Sequence, residues 1–314
     1  MEGFTYTEVD AMWYLHLSNA QEAAYHTFRA RLEYLDQLLP GHDDKYTLLR
    51  FLKARQWDTP KAVAMYMDMV RWRREEDIDA LYQELHFHEL DAVLPAYPHF
   101  YHKLDKFGRP VYYELSGKMD VAKILTHTTE ERIMKYHIWT WERFFKQLAP
   151  ACSVMAGKPV MTCTVIIDLE GLGLSNFSTV ARKLLKLLSH IDQHFYPESL
   201  GVMFIINAPF IFKTIWAVVN PMLEERTRKK IHVLGADYQT VLAEVISHDS
   251  LLECYGGGSK VPIDQPSKIS AGPWVNHPMV TARRWLPDEP PDSTKLKLSW
   301  AFPGLAWAWK IFCV

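Results

Sequence analysis

The sequence predicts an α/β protein with parallel strands, and three observations carry that expectation. Three short β-branched runs, residues 165–169, 202–207 and 231–234, are each separated from the next by a helical pattern. Alternation of this kind marks βαβ units, whose strands are buried on both faces. Upstream, residues 100–104 and 111–115 flank Asp105-Lys106-Phe107-Gly108 and read as a β-hairpin, because glycine suits the left-handed position of such a loop. Residues 20 to 90, by contrast, carry helical signals only.

Taken in order, Asp43 or Asp44 caps a helix through Leu48, Leu49, Phe51 and Leu52. Thr59 reads as an N-cap with Pro60 in the first helical position, opening a helix to about residue 75. After the hairpin, Thr129-Glu130-Glu131 starts a long helix that Pro150 is expected to stop. A further helix is expected over 237–252, and Gly256-Gly257-Gly258 is expected to end the compact region. Residues 259–294 read as surface loop. The last sixteen residues are apolar except for Ser299 and Lys310, which fits a tail packed back on the domain or an interfacial anchor.

Between the second and third β-branched runs lies an unusual helix, residues 210–223. Its only charge is Lys213, so no wide polar face remains. Such a helix is fully buried or has apolar material on both sides. The charge run Glu224-Glu225-Arg226-Thr227-Arg228-Lys229-Lys230 follows it directly. It reads as a solvated turn, or as a cationic strand entrance placed to hold a phosphodiester.

At 314 residues, with 48% apolar side chains, the chain has ample material for a core. Its net charge of -2 argues against a general nucleic-acid binder. Four cysteines without CxxC spacing favour a reducing compartment. The start carries Glu2, Glu8 and Asp10, unlike a signal peptide, and no stretch approaches the ~20 apolar residues of a membrane span. A soluble intracellular protein is expected.

Several catalytic motifs fail. Gly171-Leu172-Gly173 lacks the third glycine of a dinucleotide loop, since Asn176 stands there, and Asp168 and Glu170 would repel a pyrophosphate. The glycine run at 256 lacks P-loop spacing, and neither HExxH nor GxSxG occurs. Asp168 and Glu170 could pair catalytically, but carboxylates at a strand end more often accept hydrogen bonds from loop amides. No cofactor and no metal are expected.

Five motifs in order carry a resemblance. They are Leu49-Arg50-Phe51-Leu52-Lys53-Ala54-Arg55, Tyr101-His102-Lys103 through Gly108-Arg109-Pro110-Val111-Tyr112, Tyr196-Pro197-Glu198, Ile206-Asn207-Ala208-Pro209-Phe210 and Tyr255-Gly256-Gly257, with Gly272-Pro273-Trp274 a further echo. Together they resemble the CRAL-TRIO lipid-binding family, and most of all its secretory-pathway phosphatidylinositol-transfer proteins. The resemblance implies a helical N-terminal lobe (1–95), a lipid-binding domain (96–260) and a C-terminal wrapping segment with the aromatic tail (261–314). It implies a mixed, mostly parallel sheet flooring an apolar pocket, with the 210–223 helix as its gate through Phe210, Phe212, Ile215, Trp216 and Val219. It further implies a phosphatidylinositol headgroup site of Arg55, Glu198, Thr227 and Lys230. Gln56 departs from the basic residue that relatives carry there.

A second-lipid site is implied at Tyr101 and Tyr112, with Trp141, Cys163 and Val165 standing where relatives have a tyrosine, a serine and a threonine. Two hydroxyl donors are thereby lost, which counts against phosphatidylcholine exchange. The expected function is phosphatidylinositol transfer by a cytosolic, monomeric carrier that meets secretory-pathway membranes peripherally, without catalysis. The alternatives are a carrier of another hydrophobe (a sterol, a tocopherol-like compound or another phospholipid), a nucleotide-dependent oxidoreductase, or a membrane adaptor that transfers nothing.

Overall fold

Five strands form one sheet in sequence order: β1 (His99–Leu104), β2 (Pro110–Glu114), β3 (Cys163–Asp168), β4 (Leu200–Ile206) and β5 (Ile231–Val233). The structure is a computed structural model and describes residues 6–275. β1 and β2 pair antiparallel, and every later neighbour pairs parallel, so the sheet is mixed and mostly parallel. The hairpin turn holds because Gly108 takes φ +85 and the Asp105 carboxylate accepts the Phe107 and Arg109 amides at 2.9 Å each. Arg109 closes the turn, its Nε 2.6 Å from Asp105 Oδ2 with both side chains fully buried.

Before the sheet the chain forms α1 (Asn19–Tyr34), α2 (Lys45–Ala54), α3 (Thr59–Glu75) and α4 (Ile78–Glu84). Asp44 is the cap of α2, accepting from the Tyr46 and Thr47 amides. The cap of α3 is Asp58 rather than Thr59: its carboxylate accepts the Lys61 amide, which moves Thr59 to the first helical position and Pro60 to the second. Proline is tolerated there because first-turn amides have no partner within the helix.

Pro150 does not stop the long helix. The chain runs from α5 (Glu130–Arg143) through a π-helical turn, Phe144–Leu148, into α6 (Ala149–Ala156), where Gly157 at φ +63 ends it. The Ala149 amide reaches back to the Phe144 carbonyl, and the wider turn gives the proline ring room. α7 (Thr179–Phe195) and α8 (Phe212–Val219) supply the later crossovers.

One sheet face, with Phe100, Val111, Tyr113, Ile166, Val202, Phe204 and Ile206, is sealed by α9 (Tyr238–Val245) and the segment after it. α9 is shorter than expected. Ile246 turns extended, because Leu251 would point away from the Leu242 face of a continued helix and is instead folded back into the core. The compact region also continues past Gly258. His102 Nε2 is 2.8 Å from Ser259 Oγ, the Lys103 amide donates to the Ala271 carbonyl, and Trp274 is 2% exposed within the main core. The apolar tail lies outside the described residues.

Candidate ligand site

Glu198 centres a cluster of charges at the N-terminal ends of β4 and β5. Its backbone is left-handed, φ +58, and its side chain is 2% exposed. Three cations converge on it: Lys230 Nζ at 2.8 Å, Arg226 Nε at 3.4 Å and Lys53 Nζ at 3.8 Å. A second carboxylate, Glu224, pairs with Arg226 and lies 3.7 Å from Arg55 Nη1. Local structure places each group. Arg55 is the C-cap of α2, and Gln56 and Trp57 turn the chain with positive φ. Arg226 and Thr227 ride on a one-turn helix, Glu225–Arg228, and Lys230 immediately precedes β5.

Four cations against two carboxylates leave a surplus of two positive charges. Burial would raise the Glu198 pKa, but Lys230, Lys53 and Arg226 hold it below the ordinary carboxylate value. Lys53 shows the strain of the crowding: burial and the neighbouring Lys230 push it down to about 8, although Glu198 opposes them. Left-handed backbone at Gln56, Trp57 and Glu198 adds a cost of ~1–3 kcal/mol each, which persists where surrounding structure enforces it and is common at ligand sites. The cluster can hold an oxyanion.

The other sheet face carries two rows of side chains. Register places Tyr101, Tyr112, Val165, Met203 and Ile231 in one row across the five strands, and His99, Glu114, Ile167, Ile205 and Val233 in the next. α5 faces this surface with Tyr136, His137 and Trp141, and α7 adds Asp192, which His137 Nε2 meets at 2.5 Å. Tyr97, Tyr101 and Tyr112 are half-buried, yet burial drives their hydroxyl pKa values well up.

The Trp141 indole donates to Asp192 Oδ1 at 2.7 Å and packs among Phe144, Phe145 and Tyr196. Cys163 and Val165 are buried on the floor. The Cys163 thiol lies 3.7 Å from the Ser199 carbonyl, and burial pushes its pKa up to about 12.

α8 covers the apolar end of that face. Phe212, Ile215, Trp216 and Val219 share one helical side and pack on Leu169, Ile205, Ile167, Met203 and Ile231. The helix is shorter than 210–223, since Asn220-Pro221-Met222 forms a 3₁₀ turn and Phe210 precedes its first turn. Nor is it apolar material on both sides. Ile215 sits with Phe212 and Trp216 rather than with Val218, which faces outward, and Phe210 is 86% exposed. Before the helix, Asp168 accepts from the Glu170 amide, the Asn207 side chain and the Tyr255 hydroxyl, so this carboxylate anchors loops.

Comparison with known proteins agrees with this architecture. Residues 95–257 match the CRAL/TRIO domain, and residues 4–68 match the CRAL/TRIO N-terminal domain. The chain belongs to the CRAL/TRIO family. It is 41% identical over 255 residues to the phosphatidylinositol/phosphatidylcholine transfer protein SFH9 of Arabidopsis thaliana, covering 81% of this chain and 44% of that one. With SFH7 of the same plant the identity is 45% over 230 residues, covering 73% and 42%. The chain thus spans less than half the length of these plant relatives. With the Sec14 cytosolic factor of Schizosaccharomyces pombe the identity is 37% over 262 residues, covering 82% and 89%. The crystal structure of Sfh5 superimposes with a TM-score of 0.63 at 18% identity, over 84% of this chain and 96% of that one, which supports the fold alone.

Within this CRAL/TRIO frame, Arg55, Glu198 and Lys230 come together from three separate parts of the chain through Glu224 and Arg226, and Thr227 adjoins Arg226 on its one-turn helix. The structure adds Lys53, Arg226 and Glu224. Their signal was present in the sequence: Lys53 lies two residues before Arg55 on the last turn of α2, and Arg226 adjoins Thr227. Among the described residues, no helix is long and apolar enough to cross a membrane.

Proposed function

We propose that this CRAL/TRIO protein binds one phosphatidylinositol at a time and carries it between membranes. The observation that carries the reading is the cationic surplus around Glu198, set at the edge of a sheet face that α8 covers with apolar side chains. Lys230, Lys53, Arg55 and Arg226 hold the phosphate, the Thr227 hydroxyl donates to it, and the two carboxylates accept from inositol hydroxyls. Carrying two acyl chains of ~15 methylenes each through water would cost ~24 kcal/mol at ~0.8 kcal/mol per methylene. An enclosed apolar space removes most of that cost, and a shift of α8 at a membrane restores access. No covalent step is involved, and the carrier works as a cytosolic monomer at the surface of secretory-pathway membranes.

The names of the relatives support the lipid class, and the phosphatidylinositol/phosphatidylcholine pairing in the plant names concerns those proteins. The test is extraction of lipid from the purified full chain, followed by mass spectrometry. Phosphatidylinositol is the expected cargo. Recovery of only sterols, tocopherol-like compounds or other phospholipids would make the chain a carrier of a different hydrophobe.

A further inference from the structure

A cavity of about 260 Å³ lies between α2, α3 and the α5–α6 segment. Its apolar lining is Phe51, Met69, Phe145, Val160, Met161 and Phe195. None of Arg55, Glu198, Thr227 and Lys230 lines it, nor do Tyr101 and Tyr112. The space is separate from the charges around Glu198 and from the sheet face under α8. Its volume falls just short of the ~300–1,000 Å³ of sites for drug-sized ligands.

Arg50 lines this cavity from α2 and is 4% exposed. Among the described residues no carboxylate forms an ion pair with it. Its side chain bonds through Nη1 alone, at 3.4 Å to the Pro197 carbonyl and 3.3 Å to the Ser199 hydroxyl. Both distances exceed the usual range of about 2.7–3.2 Å. The guanidinium also stands 3.9 Å from the centroid of the Phe145 ring. The other charges of the lining are already engaged. Arg73 meets Glu142 at 2.6 Å and Asp79 at 2.9 Å, and Lys146 meets Asp79 at 2.7 Å and Glu142 at 3.0 Å. The Asp44 carboxylate caps α2. His42 is neutral at neutral pH, since burial and the nearby Arg73 push it down to about 4. Burial likewise pushes Arg50 down to about 10. A buried cation is costly unless an anion pairs with it, and the planar fork of an arginine matches a carboxylate.

We propose that this cavity binds a small organic carboxylate, whose apolar body packs among Phe51, Met69, Phe145 and Met161 while Arg50 meets the carboxylate through Nε and Nη2. Those two nitrogens are the ones its bonds to Pro197 and Ser199 leave over. A free phosphate matches less well, because it brings a second charge among apolar walls. A neutral molecule of the same shape fills the space but leaves the guanidinium without an anion. The inference does not depend on the phosphatidylinositol reading, since different residues carry it.

The experiment titrates the purified full chain at neutral pH with benzoate, hexanoate, benzyl alcohol and inorganic phosphate in a calorimeter. Benzoate or hexanoate should bind one-to-one, roughly tenfold or more tighter than benzyl alcohol and phosphate, as a charge-assisted bond requires. Arg50→Met should weaken carboxylate binding by the same factor. Thr47→Phe fills the cavity from one turn earlier on α2 and leaves Arg50 in place, so it should weaken binding as much. It decides the matter if Arg50→Met does not fold, which thermal melts report. Three results would overturn the assignment: no saturable binding of either carboxylate, benzyl alcohol or phosphate bound as tightly as benzoate, or a folded variant that binds the carboxylate like the unaltered chain.

Discussion

Lys230 Nζ stands 2.8 Å from Glu198 Oε2 and equally close to the Leu200 carbonyl, tying the entrance of β5 to the start of β4. Glu198 keeps two further cations when Lys230 is removed, and the Lys230 side chain is 21% exposed. The lysine is therefore spare for folding while remaining available to a phosphate.

Lys230→Ala should accordingly lower phosphatidylinositol transfer roughly 10- to 150-fold, the equivalent of ~1.5–3 kcal/mol for a charge-assisted hydrogen bond, with little change in Tm. Vesicle transfer assays and thermal unfolding measure the two effects. Unchanged transfer by a folded variant would remove Lys230 from the headgroup site. Glu198→Gln should behave oppositely, costing ~3–5 kcal/mol of stability, because three cations lose their shared buried partner.

Lys53 supplies a pH dependence. With its pKa pushed down to about 8, the ammonium is charged below that value and neutral above it. Phosphatidylinositol binding should weaken as pH rises through and beyond 8. Lys53→Arg, whose guanidinium stays charged, should flatten that limb of the profile. Vesicle-binding titrations from pH 6 to 9.5 test the idea, and identical profiles for both proteins would rule out Lys53 as the titrating group.

A different pair joins α3 to α5. Arg73 Nη1 lies 2.6 Å from Glu142 Oε1, both side chains are buried, and Tyr196 donates to the same carboxylate at 2.7 Å. Burial would raise the Glu142 pKa, but Arg73, Lys146 and Tyr196 bring it to about 2. A carboxylate depressed in the folded state stabilises above its ordinary value near 4.5 and loses that contribution as pH falls toward 2. Arg73→Met should cost ~3–5 kcal/mol at neutral pH. In urea melts, its stability should also fall less steeply between pH 4.5 and 2 than that of the unaltered chain.

The gate prediction separates two surfaces of one segment. Phe210→Ser should leave Tm unchanged, since that ring is exposed, but should slow transfer by removing an apolar contact with the bilayer. Hydrogen exchange with and without vesicles should change chiefly over residues 207–230, with Asn207-Ala208-Pro209 and Asn220-Pro221 absorbing the motion. A response confined to α1–α4 would place the gate elsewhere.

What the sequence determined by itself is local. Period-two and period-3.6 patterns, the Asp44 cap and Gly108 at φ +85 depend on neighbours a few residues away, and these located the strands, the hairpin and most helices. Motif order was enough to name Arg55, Glu198, Thr227 and Lys230 as candidates. Arg226 donates to the Ala54 carbonyl across 172 residues, a contact that no local pattern encodes. The side of α8 that faces the sheet was not read from the sequence, because its outer side also carries apolar residues, Ala217 and Val218. Only register decided it, by bringing Ile205 and Met203 beneath Phe212 and Ile215. The same pairing set Glu114 beside Ile167, and so divided one sheet face into a polar and an apolar half.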